Sequence, residues 1–449
     1  MAASNEPGKG LAEQLPPLSP QEALVEANRC LFCYDAPCTH ACPTHIDIPR
    51  FIKKISTDNL IGSARTILEA NLLGATCARV CPVQELCEGA CVLGKDHKPI
   101  MIGRLQRYAM DHVYAGRMAA LMKKAPPSGP RGKSVAVIGS GPAGLSCAGE
   151  LARRGRSVTV FEKRPLGGGL STYGIIALRE PIEASLEEVR MIERLGVRIE
   201  TNAELGRNLT LGDLQKRFDA IFLGLGLGAT HLMGIPGEEL IVDGLDYIEQ
   251  SKLNSCGLKI GRNVVVIGAG NTAIDCATIA KRLGAPQVTM LYRRSEQEMS
   301  AYPHEYEFVK KEGVGFRFLA QPVRVLSDGG RVTGLACIPI ELGPTDSSGR
   351  RLPQPAGNGE FVVPADQIVK AVGQQKPSLA CALGLELDGG FIRVSTDFET
   401  SLTGVFAGGD CIRAKSAAST VMAVQDGKLA AAAMHLRLNA GVNTGNTNG

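Results

Sequence analysis

The sequence predicts an α/β fold with two nested Rossmann-like domains, preceded by a mostly α-helical N-terminal region. Two short apolar runs, SVAVI at 134–138 and NVVVI at 263–267, each end in glycines and are followed by a helical pattern. Further strand-like runs alternate with helical patterns after residue 134, which is typical of βαβ units and parallel sheets. Before that point, residues 21–122 mix apolar and charged residues at helical spacing.

The composition excludes several classes of function. The 449 residues carry a net charge of +4, 4% aromatic residues and no Trp, so we expect neither nucleic acid nor a membrane as partner. No apolar run approaches the roughly 18 residues of a membrane span, and the polar N-terminus has no signal-peptide core. Cysteines are dense only between residues 30 and 91, unlike those of a secreted disulfide scaffold. We therefore expect a cytoplasmic protein with a metal or cluster site near its N-terminus.

The first glycine-rich turn has the features of a dinucleotide site. It follows a strand and opens a helix, and the next strand ends in Glu162 with Lys163 after it. The first glycine permits a tight turn, the second lets a pyrophosphate approach the backbone, and the third allows close helix–strand packing. The helix N-terminus stabilises the phosphate charge, and the acid can accept hydrogen bonds from a ribose. The residues of this turn are Gly139, Ser140, Gly141, Pro142, Ala143 and Gly144. A purely structural turn is the alternative.

A second turn of the same kind suits a second dinucleotide. Its residues are Gly268, Ala269, Gly270, Asn271, Thr272 and Ala273, again between a strand and a helix. The strand that follows is closed by Arg293 and Arg294 instead of an acid. Arginines at this point suit a ribose 2′-phosphate and favour NADPH over NADH. A solvated basic loop is the common alternative.

A third signal is the late Gly-Gly-Asp that contains Gly409 and Asp410. It follows an apolar strand and can place a carboxylate beside a bound sugar or ribityl chain, although alone it could be an ordinary turn. Two nucleotide motifs more than a hundred residues apart, together with this late motif, resemble the two-dinucleotide-binding flavoproteins over residues 134–435. The resemblance implies FAD at the first site, NAD(P)H at the second, and a return of the Gly-Gly-Asp to the flavin.

The same resemblance implies further cofactor contacts, and the chain departs from it at one point. It implies flavin contacts by Gly169, Leu170 and Arg179, and a segment near the nicotinamide formed by Ala371, Val372 and Gly373. The disulfide reductases of that superfamily carry a redox-active C-x-x-C, and no such pair follows residue 134. Electrons must therefore leave the flavin by another route.

The N-terminal cysteines form two runs. They read Cys30-x2-Cys33-x4-Cys38-x3-Cys42-Pro43 and Cys77-x3-Cys81-Pro82-x4-Cys87-x3-Cys91. Two tight runs with C-P pairs predict two iron–sulfur clusters, and in two-cluster ferredoxins the last Cys of a run ligates the other cluster. Two structural zinc sites and buried free thiols are the alternatives. A redox-inert metal has no evident use beside a flavin.

The segments around these cysteines resemble the N-terminal domain of dihydropyrimidine dehydrogenases, most closely the separate bacterial flavin/iron–sulfur subunit. They read ANRCLFCYDAPCTHACPTHIDIPRFI and NLLGATCARVCPVQELCEGAC, and with IGAGNTAIDCA, VFAGGD and VQDGK the resemblance covers residues 21–435. Glutamate synthase small subunits share the first run, but their second run is the shorter C-P-A-P-C, where this chain has Cys81-x5-Cys87.

This resemblance implies the cluster ligands residue by residue. One cluster would be held by Cys30, Cys33, Cys38 and Cys91, and the other by Cys42, Cys81, Cys87 and Gln106. Cys77 would then be a neighbour, although residue type alone favours Cys77 over Gln106 because thiolates are the usual ligands.

The chain is predicted to divide into four segments. A helical iron–sulfur domain covers residues 1–125, the first part of an FAD-binding domain 126–249, an NAD(P)H-binding domain 250–368, and the second part of the FAD-binding domain with a flexible tail 369–449. The stretch KKAPPSGPRGK at 123–133 is expected to be a linker. Residues 1–20 and 440–449 are expected to be flexible.

The expected function is electron input. NAD(P)H would reduce FAD, and two [4Fe–4S] clusters would pass single electrons to a partner; no acid–base residue is expected, because the chemistry belongs to the cofactors. Full dihydropyrimidine dehydrogenases also carry an FMN barrel, for which too little sequence follows Asp410, so a separate FMN-containing subunit is the expected partner in a hetero-oligomer. The bacterial family is NADH-linked, so NADH is expected, with some NADPH use. A glutamate synthase small subunit, a transhydrogenase-type subunit and a nucleotide-binding subunit without turnover are the alternatives.

Overall fold

The computed structural model describes residues 12–440, except 114–116, 123–125, 127–132, 255–256, 346–348, 358 and 414–418. The lead-in up to residue 11, most of the predicted linker and the tail from 441 lie outside the described residues. The chain forms two compact units. The larger unit consists of Leu15–Thr172, Arg179–Gly228 and residues 376–440, and the smaller unit of residues 12–14, Tyr173–Leu178 and Ala229–Gln375.

Short helices form the N-terminal part of the larger unit, as the spacing of apolar residues predicts. They are α1 (Pro20–Asn28), α2 (Pro37–Ala41), α3 (Ile48–Ser56), α4 (Leu60–Ala70), α5 (Gly74–Val80), α6 (Ile102–His112) and α7 (Met118–Leu121). Side-chain caps set several helix starts: Ser19 and Glu22 form a capping box at α1, and Asp47 accepts a hydrogen bond from the Arg50 N–H at α3.

A five-stranded parallel sheet follows in the same unit. Its strands are β1 (Ser134–Ile138), β2 (Ser157–Glu162), β3 (Arg198–Thr201), β4 (Ala220–Leu223) and β16 (Val405–Ala407). They lie in the order β16-β4-β1-β2-β3. The helices are α8 (Pro142–Arg153), α9 (Leu170–Tyr173), α10 (Ile182–Arg194), α11 (Leu211–Arg217), α15 (Ser378–Ala382) and α16 (Thr420–Ala440). A short antiparallel pair, β14 (Leu387–Asp388) and β15 (Phe391–Ile392), lies before β16.

The helical part and the parallel sheet share one hydrophobic core. Phe51 of α3 and Ile67 of α4 belong to the same buried cluster as Val137 of β1 and Val424 of α16. The helical part is therefore packed onto the first parallel sheet within one unit, although the sequence predicts a domain boundary at residue 125.

The smaller unit is built on a second parallel sheet in the order β5-β13-β6-β7-β8. The strands are β5 (Val242–Asp243), β6 (Asn263–Ile267), β7 (Gln287–Leu291), β8 (Gly315–Arg317) and β13 (Gln367–Lys370), with helices α12 (Gly244–Leu253), α13 (Asn271–Arg282) and α14 (Pro303–Lys311). An antiparallel sheet that the sequence pattern does not predict is inserted before β13. It contains β9 (Ala320–Asp328), β10 (Arg331–Thr345), β11 (Arg351–Pro355) and β12 (Phe361–Pro364).

Strand pairing explains why the units change over at residues 228 and 375 and not at the predicted 249 and 368. β5 pairs with β13, so the chain has already entered the second sheet before residue 249. β13 itself spans the predicted cut at 368 and pairs with both β5 and β6. A boundary inside a central parallel strand would divide one sheet between two domains.

Candidate functional site

In the first glycine turn, between β1 and α8, the fold itself requires glycine at one position but not at another. Gly139 has a φ of +92°, and a Cβ there would lie 2.4 Å from the carbonyl oxygen of Gly224. Gly141 has a φ of −66°, and a Cβ there would meet only the Cα of Gly169, at 4.0 Å. Neither backbone conformation nor packing explains Gly141, so this open space before the N-terminus of α8 fits a close-approaching pyrophosphate.

A second glycine-rich turn lies against the first. The N–H of Gly168 donates to the carbonyl and hydroxyl oxygens of Ser140, both at 3.1 Å. The predicted contact residues Gly169 and Gly141 are therefore neighbours, while Leu170, at the start of α9, is exposed.

Glu162, at the end of β2, is buried beside the first turn. Its carboxylate accepts hydrogen bonds from the N–H and the hydroxyl of Ser140, at 2.8 and 2.6 Å, and from the N–H of Arg164 at 2.9 Å. A carboxylate has about four acceptor positions, so one remains for a ribose hydroxyl. Lys163 is exposed and Arg179 is half-buried.

The Gly-Gly-Asp motif follows β16 at the same edge of the sheet. The N–H of Gly409 donates to the Asp426 carboxylate at 2.9 Å, and Asp426 also forms an ion pair with Arg413. Burial raises the pKa of Asp410 above its usual value, and the nearby Arg413 opposes this. Because β16, β1 and β2 run parallel in one sheet, their carboxyl ends bring the predicted flavin residues to one edge.

The second glycine turn, in the smaller unit, repeats this arrangement after β6. Gly268 has a φ of +138°, and a Cβ there would lie 2.4 Å from the carbonyl oxygen of Ala371. This contact places Ala371, followed by Val372 and Gly373, beside the turn. A Cβ at Gly270 would meet the Ser300 hydroxyl at 3.2 Å, so this turn, before the N-terminus of α13, is tighter than the one at Gly141. The side chain of Asn271 accepts a hydrogen bond from the Tyr302 N–H at 3.1 Å, and Ala269 is buried while Thr272 is half-buried.

Arg293 and Arg294 lie in different environments. Arg293 is exposed after β7. Arg294 is only 8% exposed, and its Nε donates to the carbonyl oxygen of Arg351 at 2.9 Å. The sequence predicts both guanidiniums as candidates for a 2′-phosphate, but of the two only Arg293 is exposed to solvent.

The first cysteine cavity is formed between the loop before α2 and the region after Cys91. Four thiols line it together with apolar side chains: Cys30, Cys33, Cys38 and Cys91. Burial raises the pKa of Cys38 to about 11, and the neighbouring cysteines add to the effect. Without a cation the Cys38 thiol would be protonated at neutral pH, so a metal bound by Cys38 would displace its proton.

The second cysteine cavity is lined by residues from both runs and from α6. The candidate ligands around it are Cys42, Cys77, Cys81, Cys87 and Gln106. Gln106 is 7% exposed, and its Nε2 donates to the Gly74 carbonyl oxygen at 2.8 Å, which leaves Oε1 as the free acceptor. A hydrogen bond between Cys77 and Cys81, reinforced by burial, raises the pKa of Cys81 well above its usual value. Both Cys77 and Gln106 reach this cavity, so the choice between them as fourth ligand stays a prediction.

The lining of the two cavities fits iron–sulfur clusters. A structural zinc needs four ligands around one ion. In a [4Fe–4S] cluster each protein ligand binds a different iron, so the ligands surround a cavity. Both cysteine cavities have this form, with Cys42 and Cys91 each placed beside the other run.

Comparison with known proteins gives the family. Residues 9–118 match the family described as dihydropyrimidine dehydrogenase domain II, 4Fe-4S cluster. Residues 133–427, about two thirds of the chain, match the pyridine nucleotide-disulphide oxidoreductases. The chain belongs to the pyridine nucleotide-disulphide oxidoreductases. As an oxidoreductase of this family with an attached 4Fe-4S domain, it uses FAD and NAD(P)H and transfers electrons.

Two relatives place this oxidoreductase among the iron–sulfur flavoprotein small subunits. It is 37% identical to a glutamate synthase [NADPH] small chain of Halomonas elongata, over 94% of this chain and 92% of the relative. It is 34% identical to the NAD-dependent dihydropyrimidine dehydrogenase subunit PreT of Salmonella typhimurium, over 95% of this chain and 96% of the relative. Both are named as parts of larger oxidoreductases, so the family shown is that of NAD(P)H oxidoreductase subunits.

A solved structure supports the fold of this oxidoreductase. Mycobacterium tuberculosis FprA in complex with NADPH superposes with a TM-score of 0.58 at 19% identity, over 71% of this chain and 87% of that one. Across the part of the chain that the structure describes, no helix is both long and apolar enough to cross a membrane.

Proposed function

We propose that the chain is the electron-input subunit of a dihydropyrimidine dehydrogenase. It takes electrons from NADH and delivers them, through FAD and two [4Fe–4S] clusters, to a separate FMN-containing subunit. That partner interconverts uracil or thymine with the 5,6-dihydropyrimidines. When bound, the flavin supplies the conversion of a two-electron hydride into single electrons, and the residues of this chain bind and orient the cofactors.

The proposal rests on the second cysteine cavity. By the resemblance to dihydropyrimidine dehydrogenases, the Cys81-x5-Cys87 spacing favours that pattern over the shorter run of glutamate synthase small subunits. Val83 and Leu86, which lie within this longer spacing, and Cys87 at its end line the cavity together with Gln106. A glutamine ligand belongs to the first pattern, and the anchored amide of Gln106 with its free Oε1 is what such a ligand requires.

A second candidate is a glutamate synthase small chain, which the 37% identical relative from Halomonas elongata favours. The electron-input half of the chemistry is the same in both cases. Only the partner and its substrate differ, and these differences lie outside the residues of the two glycine turns.

Co-expression decides between the candidates. The chain would be co-purified, without oxygen, with the product of the neighbouring reading frame, and NADH oxidation would be followed with uracil or with 2-oxoglutarate and glutamine. We expect uracil-dependent oxidation and an FMN-containing partner. Oxidation that responds to 2-oxoglutarate and glutamine but not to uracil would establish the second candidate. A Cys81→Ala variant, which should still reduce its FAD, is the control for electron transfer through the clusters.

A further inference from the structure

Asn71 is a buried amide on the wall of the second cysteine cavity. It lies between α4 and α5, is 1% exposed, and lines the cavity together with Cys42, Cys77, Cys81 and Cys87. Its Oδ1 accepts a hydrogen bond from the Leu73 N–H at 2.9 Å. Its Nδ2 has no hydrogen-bond partner within the described part of the chain.

The orientation of this amide is fixed by its one partner. A backbone N–H can only donate, so the atom that faces Leu73 must be the oxygen, and the amide cannot be flipped without losing that bond. The side-chain N–H₂ is therefore the group left without a partner. Buried donors are nearly always paired, because an unmade hydrogen bond in the interior is costly. An unpaired donor on the wall of a ligand cavity indicates a partner on the ligand.

The backbone around Asn71 is clamped in place by Lys428 of α16. The Lys428 Nζ donates to the carbonyl oxygen of Ala70 at 2.8 Å and to that of Thr44 at 3.2 Å. Ala70 directly precedes Asn71, and Thr44 is two residues beyond Cys42. One ammonium group thus ties together two segments that line the second cavity. Val421, seven residues before Lys428 and so on the same face of α16, lines that cavity too.

We propose that the Nδ2 of Asn71 donates a hydrogen bond to a sulfur atom of the second cluster and thereby raises its reduction potential. Reduction adds negative charge to the cluster, and a donor aimed at a sulfur stabilises that added charge. Asn71 is a positioning and potential-setting residue, since it supplies no bond to iron. The inference does not depend on which partner accepts the electrons, because it concerns only the cluster and its cavity.

The experiment uses the cluster-loaded protein. Anaerobic redox titration with EPR detection would follow both clusters, and Cys81→Ala, which lacks the second cluster, would identify that cluster's signal. In Asn71→Leu, which keeps the volume but removes the donor, the equilibrium constant for one-electron reduction of the second cluster should fall about tenfold. That is a potential about 59 mV lower. In Asn71→Asp, which keeps the Leu73 bond and replaces the donor with an acceptor, the potential should fall at least as far.

Two controls separate this effect from general disturbance. The first cluster of each variant is the internal reference, and its potential should not move. Asn59→Asp is the matched substitution, because Asn59 caps the other end of α4 through the same kind of bond, to the Gly62 N–H at 2.8 Å, and does not line either cavity. Unchanged second-cluster potentials in both Asn71 variants, or equal shifts of the two clusters, would overturn the proposal.

A measurement on the unmodified sequence keeps the proposal testable if the variants lose their cluster. Asn71 is the one asparagine among the residues lining either cavity in the described structure. In protein labelled with ¹⁵N-asparagine, pulsed EPR of the reduced second cluster should therefore show a weak ¹⁵N coupling. The absence of that coupling would contradict a hydrogen bond from this side chain.

Discussion

Glu188 of α10 accepts a 2.7 Å hydrogen bond from the backbone N–H of Ala75 in the first turn of α5. The Thr76 N–H also points to this carboxylate, at 3.3 Å. The first turn of a helix leaves backbone N–H groups without partners. Here Glu188, more than a hundred positions away in the chain, accepts the hydrogen bonds of two of them. The capped helix carries Cys77 and leads directly to Cys81.

Stability should depend on pH through Glu188. Burial raises its pKa to about 8 from a usual 4.5, and the nearby Glu180 adds to the rise. Between those two values the folded chain binds a proton that the unfolded chain has lost, so the free energy of unfolding falls as pH rises, by roughly 1.4 kcal/mol per pH unit. Below pH 4.5 the contribution of Glu188 to the free energy of unfolding is fully present. Thermal unfolding at several pH values between 5 and 8.5 measures this slope.

Glu188→Gln tests the assignment. The amide keeps the hydrogen bond to Ala75 but cannot ionise, so the variant should gain stability relative to the natural sequence as pH rises through this range. Glu187→Gln is the matched control, because Glu187 is more exposed and pairs with Arg190 in its own helix. If both variants follow the same pH profile as the natural sequence, Glu188 is not the titrating group.

The two candidate fourth ligands of the second cluster predict different iron contents. Cys77→Ala should retain both clusters, about eight irons, because Gln106 takes the position through Oε1. Gln106→Leu and Cys81→Ala should each retain about four. Anaerobic purification followed by iron and sulfide analysis measures this. Equal losses in Cys77→Ala and Cys81→Ala, with full iron in Gln106→Leu, would assign the ligand to Cys77.

Gly141→Val should remove FAD without unfolding the chain. The backbone at Gly141 is in an extended conformation, and a Cβ would meet no atom closer than 4.0 Å. The added methyl groups would instead fill the space before α8 that a pyrophosphate needs. Flavin absorbance of the purified protein and circular dichroism measure the two effects. Stoichiometric flavin in this variant would contradict the site. Gly270→Val, the matched change in the smaller unit, should keep FAD and abolish its reduction by NAD(P)H.

The elements that depend on local sequence could be predicted from the sequence alone. The β1 and β6 strands and their glycine turns are signalled by short apolar runs followed by glycines, and both occur where expected. The grouping of Cys42 with the second run followed from the rule for two-cluster ferredoxins, because spacing along the chain alone does not show which residues meet after folding.

Other features depend on distant contacts and could not be predicted. Glu188 lies in an ordinary helical pattern of charges, and only packing against α5 buries it. The sheet β9–β12 interrupts the smaller unit without a strong alternating pattern. Arg293 and Arg294 are adjacent in sequence, yet one is exposed and the other is held by a carbonyl oxygen of the inserted sheet.

The choice of nicotinamide cofactor should depend on Arg293 and not on Arg294. We expect NADH to reduce the flavin at least as well as NADPH, with any use of NADPH supported by Arg293 at the end of β7. A guanidinium pairing with the 2′-phosphate of NADPH contributes about 1–3 kcal/mol, so Arg293→Ala should slow reduction by NADPH about fivefold or more and leave NADH nearly unchanged. Stopped-flow flavin reduction with each cofactor under matched conditions measures both rates.

Arg294→Ala is the control that the structure supplies. The Arg294 guanidinium is buried and donates to the Arg351 carbonyl oxygen, so its loss should lower the unfolding temperature and leave the ratio of NADH to NADPH rates unchanged. A more than tenfold preference for NADPH in the natural sequence, a gap of about 1.4 kcal/mol, would show that the expectation of NADH is wrong. If that preference disappeared in Arg294→Ala and persisted in Arg293→Ala, the buried arginine would have to move to reach the cofactor. Because its side chain is anchored to a carbonyl oxygen of the inserted sheet, we expect the opposite result.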